Sequence, residues 1–207
     1  MRITIRRKEF TGRCILRDVD IRLEPGEMCA IIGPTGIGKS SLLQIAAGLD
    51  KDFDGTVSGA REPLGYLFQG HRLLPWKTAL QNIQLVLPHA PDIAKEWLSK
   101  VGLEEAADTY PAHLSIGMAR RVALARALSV NPRLLLLDEP FSSLDQETAR
   151  SMQALVREEV SRLQATLLVV THSWSDIAAL VDRTVTLGGS PATIVSDTPV
   201  LRKKAAE

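Results

Sequence analysis

Hydrophobic and polar positions change their spacing along the chain in a way that predicts mainly strands in its first third. Ile3 to Ile5 and Val19 to Leu23 alternate as half-buried strands do, whereas Met28 to Ile32 is a short apolar run typical of a buried strand. After a glycine-rich loop, Ser41 to Ala47 is apolar on most sides, which predicts a buried helix. Leu64 to Phe68 is predicted to be a further strand.

The middle and the end of the chain follow different patterns. From about Thr78 to Ser129 the spacing is mostly helical, with interruptions at prolines and without a convincing strand. Beyond Ser129, strands and helices are predicted in turn: a strand at Arg133 to Leu137, an amphipathic helix at Gln146 to Leu163, a buried strand at Thr166 to Val170, and two weaker strands at Arg183 to Leu187 and Ala192 to Val195.

This order of elements predicts the fold class. Strands that alternate with helices along a chain favour an α/β fold with parallel core strands. The helical middle is then a lobe inserted between two core strands, which suits a single domain of 207 residues.

Composition and charge exclude several classes of protein. Hydrophobic residues make up 45% of the chain and charged residues 24%, which excludes wholesale disorder. The 25 basic and 24 acidic residues give a net charge of +1, so there is no basic surplus to neutralise nucleic-acid phosphates. The longest apolar runs are the size of strands, far below the roughly 20 residues of a membrane-spanning helix. The charge balance therefore predicts a protein that does not bind nucleic acid. The presence of only two cysteines predicts a cytoplasmic protein.

One loop carries the strongest chemical signal. The residues from Gly33 to Ser40 match the phosphate-binding P-loop pattern, between a predicted strand and a predicted helix. Glycines let backbone N–H groups point at phosphate oxygens, and the helix that follows adds its positive N-terminal end. We expect Lys39 to be exposed in the empty loop and to contact the β and γ phosphates when ATP binds, and we expect the Ser40 hydroxyl to bind Mg²⁺. The expected ATP-binding residues of this segment are Gly33, Pro34, Thr35, Gly36, Ile37, Gly38, Lys39, Ser40 and Ser41.

A pair of carboxylates is the second signal. Four leucines precede Asp138, and a buried strand that ends in a carboxylate delivers it to the edge of a parallel sheet where ligands bind. We expect Asp138 to hold Mg²⁺ through its water shell and Glu139 to act as the general base for an attacking water. These two signals alone fit either an ATPase or a small-molecule or nucleotide kinase.

Further motifs lie in order along the chain. They are Phe10, which lies 23 residues before Gly33; Gln69, at the end of a predicted strand; Leu114-Ser115-Ile116-Gly117-Met118; Ser142-Ser143-Leu144-Asp145; and His172, after Val169-Val170-Thr171. Together with the phosphate loop and the carboxylate pair, they make the sequence resemble the ATP-binding cassette (ABC) ATPases over nearly its whole length. A kinase has no obvious use for the signature-like motif at Leu114 to Met118, the D-loop-like motif at Ser142 to Asp145 and the histidine, so an ATPase is favoured.

The resemblance implies a role for each motif. Gln69 would contact Mg²⁺ and the attacking water, His172 the γ-phosphate, and Phe10 would stack on adenine. Ser115 and Gly117 would bind the ATP held by a second copy of the chain, across an interface that includes the D-loop, Ser142 to Asp145. The implied catalytic residues are therefore Glu139, His172 and Gln69, the metal-holding residues are Ser40, Gln69 and Asp138, and the cofactors are ATP and Mg²⁺.

The same resemblance implies an architecture. Residues 1–207 would form one ABC ATPase domain with a P-loop NTPase fold. Residues 1–76 and 130–207 would form the RecA-like α/β core, with a mainly parallel sheet and an N-terminal antiparallel β portion. Residues 77–129 would form the inserted α-helical signature subdomain.

Partners follow from the same comparison. A transporter ATPase without a membrane span needs separate permease subunits, so the resemblance implies a membrane permease, a second copy or a closely related ATPase, a solute-binding protein, and a position at the cytoplasmic face of the cell membrane. The stretch from Leu73 to Ile83 resembles importers of the nitrate, sulfonate and taurine type. Trp76, in this stretch, either lines the groove for a permease helix or belongs to the core.

The signature departs from the family pattern Leu-Ser-Gly-Gly-Gln at two positions. Ile116 replaces the first glycine and Met118 the glutamine. The β-branched Ile116 stands where the backbone would approach phosphate closely. Two alternatives therefore stay beside the transporter ATPase: a soluble non-transport ABC ATPase, and a regulatory subunit that binds ATP but hydrolyses it poorly.

Overall fold

The computed structural model describes residues 1–174 and 177–200, which form nine strands and five α-helices. The strands are β1 (Arg2–Phe10), β2 (Arg13–Arg22), β3 (Met28–Ile32), β4 (Asp54–Ser58), β5 (Leu64–Leu67), β6 (Leu134–Asp138), β7 (Thr166–Thr171), β8 (Arg183–Gly189) and β9 (Ala192–Pro199). The helices are α1 (Lys39–Ala46), α2 (Ala79–Gln84), α3 (Pro91–Lys100), α4 (Ile116–Ser129) and α5 (Gln146–Leu163).

All nine strands join one sheet in the order β4-β1-β2-β9-β8-β3-β7-β6-β5. β3 pairs in parallel with β7 and β8, and β6 pairs in parallel with β7 and β5. β1 pairs antiparallel with β2 and β4, which gives the antiparallel portion at one side. The predicted α/β fold with a mainly parallel core is therefore confirmed.

The central strands are apolar throughout because helices or strands cover both of their faces. β6 is buried from end to end, and its leucines alternate between two clusters of the core. Leu134 and Leu136 pack with α1 and the antiparallel strands, whereas Leu135 and Leu137 pack with α2 to α5. The run of four leucines thus reflects a strand at the centre of two cores.

The helices α2, α3 and α4 lie in sequence between β5 and β6, as the helical spacing predicts. α4 packs against both α2 and α3 and contributes most of its residues to the core. Ser115 caps its first turn, with its side-chain oxygen accepting a hydrogen bond from the Met118 N–H at 3.1 Å. This capped helix places the signature-like segment at one end of the lobe.

One strand has no counterpart in the pattern-based prediction. β4 is an edge strand of the sequence Asp-Gly-Thr-Val-Ser, which has a single large apolar residue and therefore no clear period of two. Gly55 permits its pairing, because a Cβ atom there would lie 2.0 Å from the Thr4 carbonyl oxygen. The strands β1, β2, β8 and β9 also extend further than their alternating cores predict.

No helix among residues 1–174 and 177–200 combines the length and the apolar character needed to cross a bilayer.

Candidate functional site

The candidate site lies where parallel strands of the sheet end side by side. Asp138 at the end of β6 pairs with Val170 of β7, and Thr171 at the end of β7 pairs with Ile32 of β3. The segments that leave these strands therefore meet at one edge, and Gln69 follows the neighbouring β5. The topology explains why residues far apart in the sequence converge here.

The glycine-rich loop leaves β3 and opens directly into α1. Gly36 and Gly38 have φ angles of 80° and 108°, in a region that residues other than glycine rarely adopt. A Cβ atom at Gly38 would also lie 2.9 Å from Leu16 Cδ2. No side chain caps the first turn of α1, so its free N–H groups are available to an anion.

Lys39 is buried, so the expectation that it is exposed in the empty loop is wrong. Its side chain is 6% exposed, and its ammonium donates to the carbonyl oxygens of Gly33 and Pro34 at 2.8 and 3.0 Å. Burial lowers the pKa of Lys39, while the carboxylates of Glu139 and Asp138 act in the opposite direction. The loop carbonyls thus take the place that phosphate oxygens are expected to occupy.

Glu139 is held by partners on several sides. His172 Nδ1 lies 2.9 Å from both of its carboxylate oxygens, and Thr171 Oγ1 donates to Oε2 at 3.2 Å. Lys39 Nζ lies 3.8 Å from Oε1. The carboxylate is therefore oriented by a hydroxyl and by two groups that carry or can carry positive charge. Thr171 is a participant that the sequence analysis missed, although it immediately precedes His172.

Asp138 combines burial with an unpaired acceptor atom. It is 3% exposed, and burial raises its pKa while a hydrogen bond with the Ser40 side chain lowers it. Its Oδ1 atom has no hydrogen-bond partner among the described residues. A buried acceptor without a partner is costly, and a carboxylate, a hydroxyl and an amide oxygen are the hard ligands that Mg²⁺ prefers. The side chains of Ser40, Asp138 and Gln69 thus fit a magnesium ion.

A cavity of about 360 Å³ opens beside the loop. Phe10, at the end of β1, is 63% exposed and forms part of its wall, so the ring has a free face for stacking. Ile15 also lines the cavity and was not singled out from the sequence, because it appears there only as an apolar strand residue. The lining residues are Phe10, Ile15, Thr35, Gly36, Gly38, Lys39, Ser40, Ser41, Gln69 and Glu139.

The signature-like segment does not belong to this cavity within one chain. Neither Ser115 nor Gly117 is among its lining residues. A Cβ atom at Gly117 would lie 3.4 Å from Leu144 Cδ2 and from the Ser143 carbonyl oxygen, so the segment packs against the D-loop. Ile116, at the start of α4, is 74% exposed. The structure therefore does not bring these residues to the phosphate loop of the same copy.

The D-loop connects the carboxylate pair to α5. The Ser142 hydroxyl donates to the Glu139 carbonyl oxygen at 3.1 Å. Asp145 caps α5, accepting from the Thr148 N–H and hydroxyl at 2.9 and 2.6 Å, and these bonds lower the pKa of Asp145. In the single chain, the Asp145 carboxylate thus has a structural role as a helix cap.

Comparisons with known proteins agree with this geometry. Residues 16–142 match the sequence profile of a family described as ABC transporter. The aliphatic sulfonates import ATP-binding protein SsuB 1 of Pseudomonas savastanoi pv. phaseolicola is 42% identical over 204 residues, which cover 97% of this chain and 85% of that protein. The protein of the same name from Streptomyces avermitilis is 42% identical over 182 residues, which cover 87% of this chain and 70% of that protein.

Solved structures give the same picture. A dimeric post-hydrolysis state of the ATP-binding cassette MJ0796, bound to ADP and Pi, superposes with a TM-score of 0.86 at 26% identity. The match covers 98% of this chain and 99% of that one. A second dimeric structure of MJ0796, described as a bacterial ABC transporter cassette, gives a TM-score of 0.85 at 25% identity.

Proposed function

The chain belongs to the ABC transporter family, and we propose that it is the ATP-hydrolysing subunit of an importer whose permease is a separate membrane protein. One observation carries the assignment of the active site. Lys39 and Glu139 line a cavity that begins at the phosphate loop, His172 contacts the Glu139 carboxylate, and the unpartnered Oδ1 atom of Asp138 belongs to the residue just before Glu139. Such an arrangement suits the binding and hydrolysis of a nucleoside triphosphate.

In the proposed mechanism, the cavity binds ATP with its adenine on Phe10 and its phosphates in the glycine-rich loop. Lys39 exchanges the carbonyl oxygens of Gly33 and Pro34 for phosphate oxygens, a short movement within the loop. Ser40, Asp138 and Gln69 would hold Mg²⁺, which supplies positive charge to neutralise the phosphates. The water oxygen bonds to the γ-phosphorus as the bond to the β–γ bridging oxygen breaks, so that ADP and phosphate are the products. Glu139 accepts the proton of this water, with His172 and Thr171 fixing the direction of its carboxylate.

The complete site needs a second copy of the chain. Ser115 and Gly117 lie outside the cavity of their own copy, so we propose that they close over the ATP of another copy. The dimeric state of the two similar MJ0796 structures supports this arrangement. The N-terminal end of α4 and the Ser115 hydroxyl would then face the γ-phosphate.

Ile116 is expected to weaken this closure. Its exposed side chain projects from the first turn of α4, where a glycine would let the backbone approach phosphate more closely. In a Glu139→Gln background, which preserves ATP, Ile116→Gly is expected to tighten ATP-dependent dimers about tenfold, because several charge-assisted hydrogen bonds shorten. Analytical ultracentrifugation with ATP measures this difference. Equal dimerisation of the two proteins would show that the Ile116 side chain already points away from the nucleotide.

We propose that the permease contacts the loop between β5 and α2. Trp76 is 67% exposed, so the interpretation as a core residue is wrong. Asn82 is fully buried and holds the loop in front of it, accepting from the Leu74 N–H at 2.8 Å and donating to the Lys77 carbonyl oxygen at 3.0 Å. A large aromatic side chain on a fixed loop is typical of an interface anchor.

Replacing Trp76 is therefore expected to weaken permease capture. Trp76→Ala should reduce co-purification with co-expressed permease subunits by about tenfold or more, while ATP affinity stays unchanged. Val195→Ala, an exposed apolar change on β9, is the matched control. Equal capture of both variants would move the permease contact to another surface.

The transported compound is proposed from the relatives. Two proteins about 42% identical to this chain are named for the import of aliphatic sulfonates, so we propose an organic sulfonate as the solute. We also propose that a solute-binding protein delivers it and that the chain lies at the cytoplasmic face of the membrane. The test is ATP hydrolysis by the chain reconstituted with its permease in vesicles. Solute-dependent stimulation by a sulfonate supports the proposal. Turnover that is indifferent to the permease would favour a soluble ATPase, and absent turnover a regulatory subunit.

A further inference from the structure

We propose that Arg120 is a positioning residue, which ties the backbone turn that aims the Glu139 side chain to the signature helix and to the segment at Phe68 and Gln69. This inference rests on the proposed ATPase function. Arg120 lies in α4, five residues after Ser115, and is 4% exposed. Its side chain points into the junction between the end of β5 and the segment that follows β6.

The Arg120 guanidinium uses its whole hydrogen-bonding capacity on backbone carbonyls. Its Nη1 atom donates to the oxygens of Phe68 and Gln69 at 2.5 and 2.7 Å. Its Nη2 atom donates to the oxygens of Asp138 and Glu139, and Nε to that of Pro140 at 3.2 Å. A guanidinium has five N–H donors, so five carbonyl groups from two segments share one side chain. No other side chain supplies five donors in a fixed plane.

The carbonyls that Arg120 binds surround the catalytic candidate. Glu139 has a φ angle of 48°, in the left-handed region that residues other than glycine adopt at a cost. Arg120 binds the carbonyl before this residue, its own carbonyl and the next one. The guanidinium thereby fixes the strained turn that aims the Glu139 side chain at Thr171 and His172.

Arg120 also connects the start of α4 to the active site of its own copy. Ser115 and Ile116, which are proposed to face the second copy, stand at the start of the helix that carries Arg120, and Arg120 binds the backbone carbonyls of Asp138 and Glu139. A displacement of α4 therefore moves the hydrogen bonds that orient Glu139 and the backbone of Gln69. Closure of the signature segment over the ATP of one copy would in this way change the orientation of Glu139 in the active site of the other copy.

The test compares steady-state ATP hydrolysis of the wild type, Arg120→Lys and Arg121→Lys. Lysine keeps the positive charge but has only three donors and no fork. Arg120→Lys is expected to lower kcat about 10- to 100-fold, as for a misplaced catalytic group, with KM for ATP nearly unchanged. Arg121→Lys is the matched control, because the neighbouring arginine binds carbonyls of Val101 and Gly102 in the lobe. It should leave kcat within about twofold.

A double-mutant cycle separates positioning from simple support of the fold. If Arg120 acts through Glu139, adding Arg120→Lys to Glu139→Gln should lower single-turnover hydrolysis by less than about twofold further. A purely structural role predicts independent, multiplying losses and a matching fall in ATP affinity. Arg120→Gln, with an amide in the same place, provides the same measurement should the lysine variant fail to fold.

Each outcome bears on one claim. The proposed ATPase function is established first, by wild-type ATP turnover that is lost in Glu139→Gln. Absence of wild-type turnover overturns the proposed function. With that turnover present, multiplying losses or an unchanged kcat for Arg120→Lys overturn the inference about Arg120 alone.

Discussion

Glu139→Gln is expected to lower ATP turnover by a factor of about 10² to 10⁴ while ATP still binds. Glutamine keeps the shape of the side chain and its hydrogen-bonding capacity, but it cannot accept the proton of the attacking water. The hydroxyl of Thr171 and the ring of His172 can still contact the amide oxygen, so the site should keep its form. Phosphate release measures turnover, and calorimetry measures ATP affinity.

The control for this variant is Glu147→Gln, the same chemical change in the exposed first turn of α5. It should leave turnover unchanged, since surface substitutions away from the site have small effects. Unchanged turnover in Glu139→Gln would assign the general base to another group, with His172 as the next candidate.

Lys39→Ala is expected to weaken ATP binding by at least about a hundredfold. The variant removes the ammonium that should bridge the β and γ phosphates, and two charge-assisted hydrogen bonds at about 1.5 kcal/mol or more each account for this loss. The carbonyls of Gly33 and Pro34 lose their donor, but the loop from Pro34 to Gly36 borders cavities that water can enter. We therefore expect the fold to persist despite the burial of Lys39.

Lys51→Ala removes an exposed positive charge after α1 and is the control for the overall charge of the protein. Calorimetric titration with ATP distinguishes the two variants, and thermal unfolding shows whether both are folded. Wild-type affinity in folded Lys39→Ala would overturn the assignment of the phosphate loop.

Local pattern predicts the phosphate loop and its flanking elements well. A short apolar strand, glycines at the two positive φ angles and a helix after the loop all follow from residue types within the segment, although the helix is predicted from Ser41 and begins at Lys39. The amphipathic stripe likewise predicts α5 from Gln146 to Leu163, the bounds that the structure has. These features need no information from distant parts of the chain.

Features that depend on the direction of backbone groups or on distant contacts were missed for a physical reason. The burial of Lys39 arises from carbonyls of its own loop, whose direction the residue types do not specify. β4 exists because β1 offers it a pairing edge. Arg120 looks like one of several arginines on a helix, and only the packing of α4 against two loops shows which carbonyls it binds.

The signature segment lies apart from the phosphate loop of its own chain, so the most direct test asks whether a second copy completes each ATP site. Phosphate release from ATP in the presence of Mg²⁺ should be measured with the purified wild-type chain over a range of protein concentrations. The account predicts hydrolysis whose rate per chain rises with concentration, because each site is completed by Ser115 and Gly117 of a second copy. Absence of hydrolysis at every concentration, or a rate per chain that does not depend on concentration and survives Lys39→Ala, would contradict it.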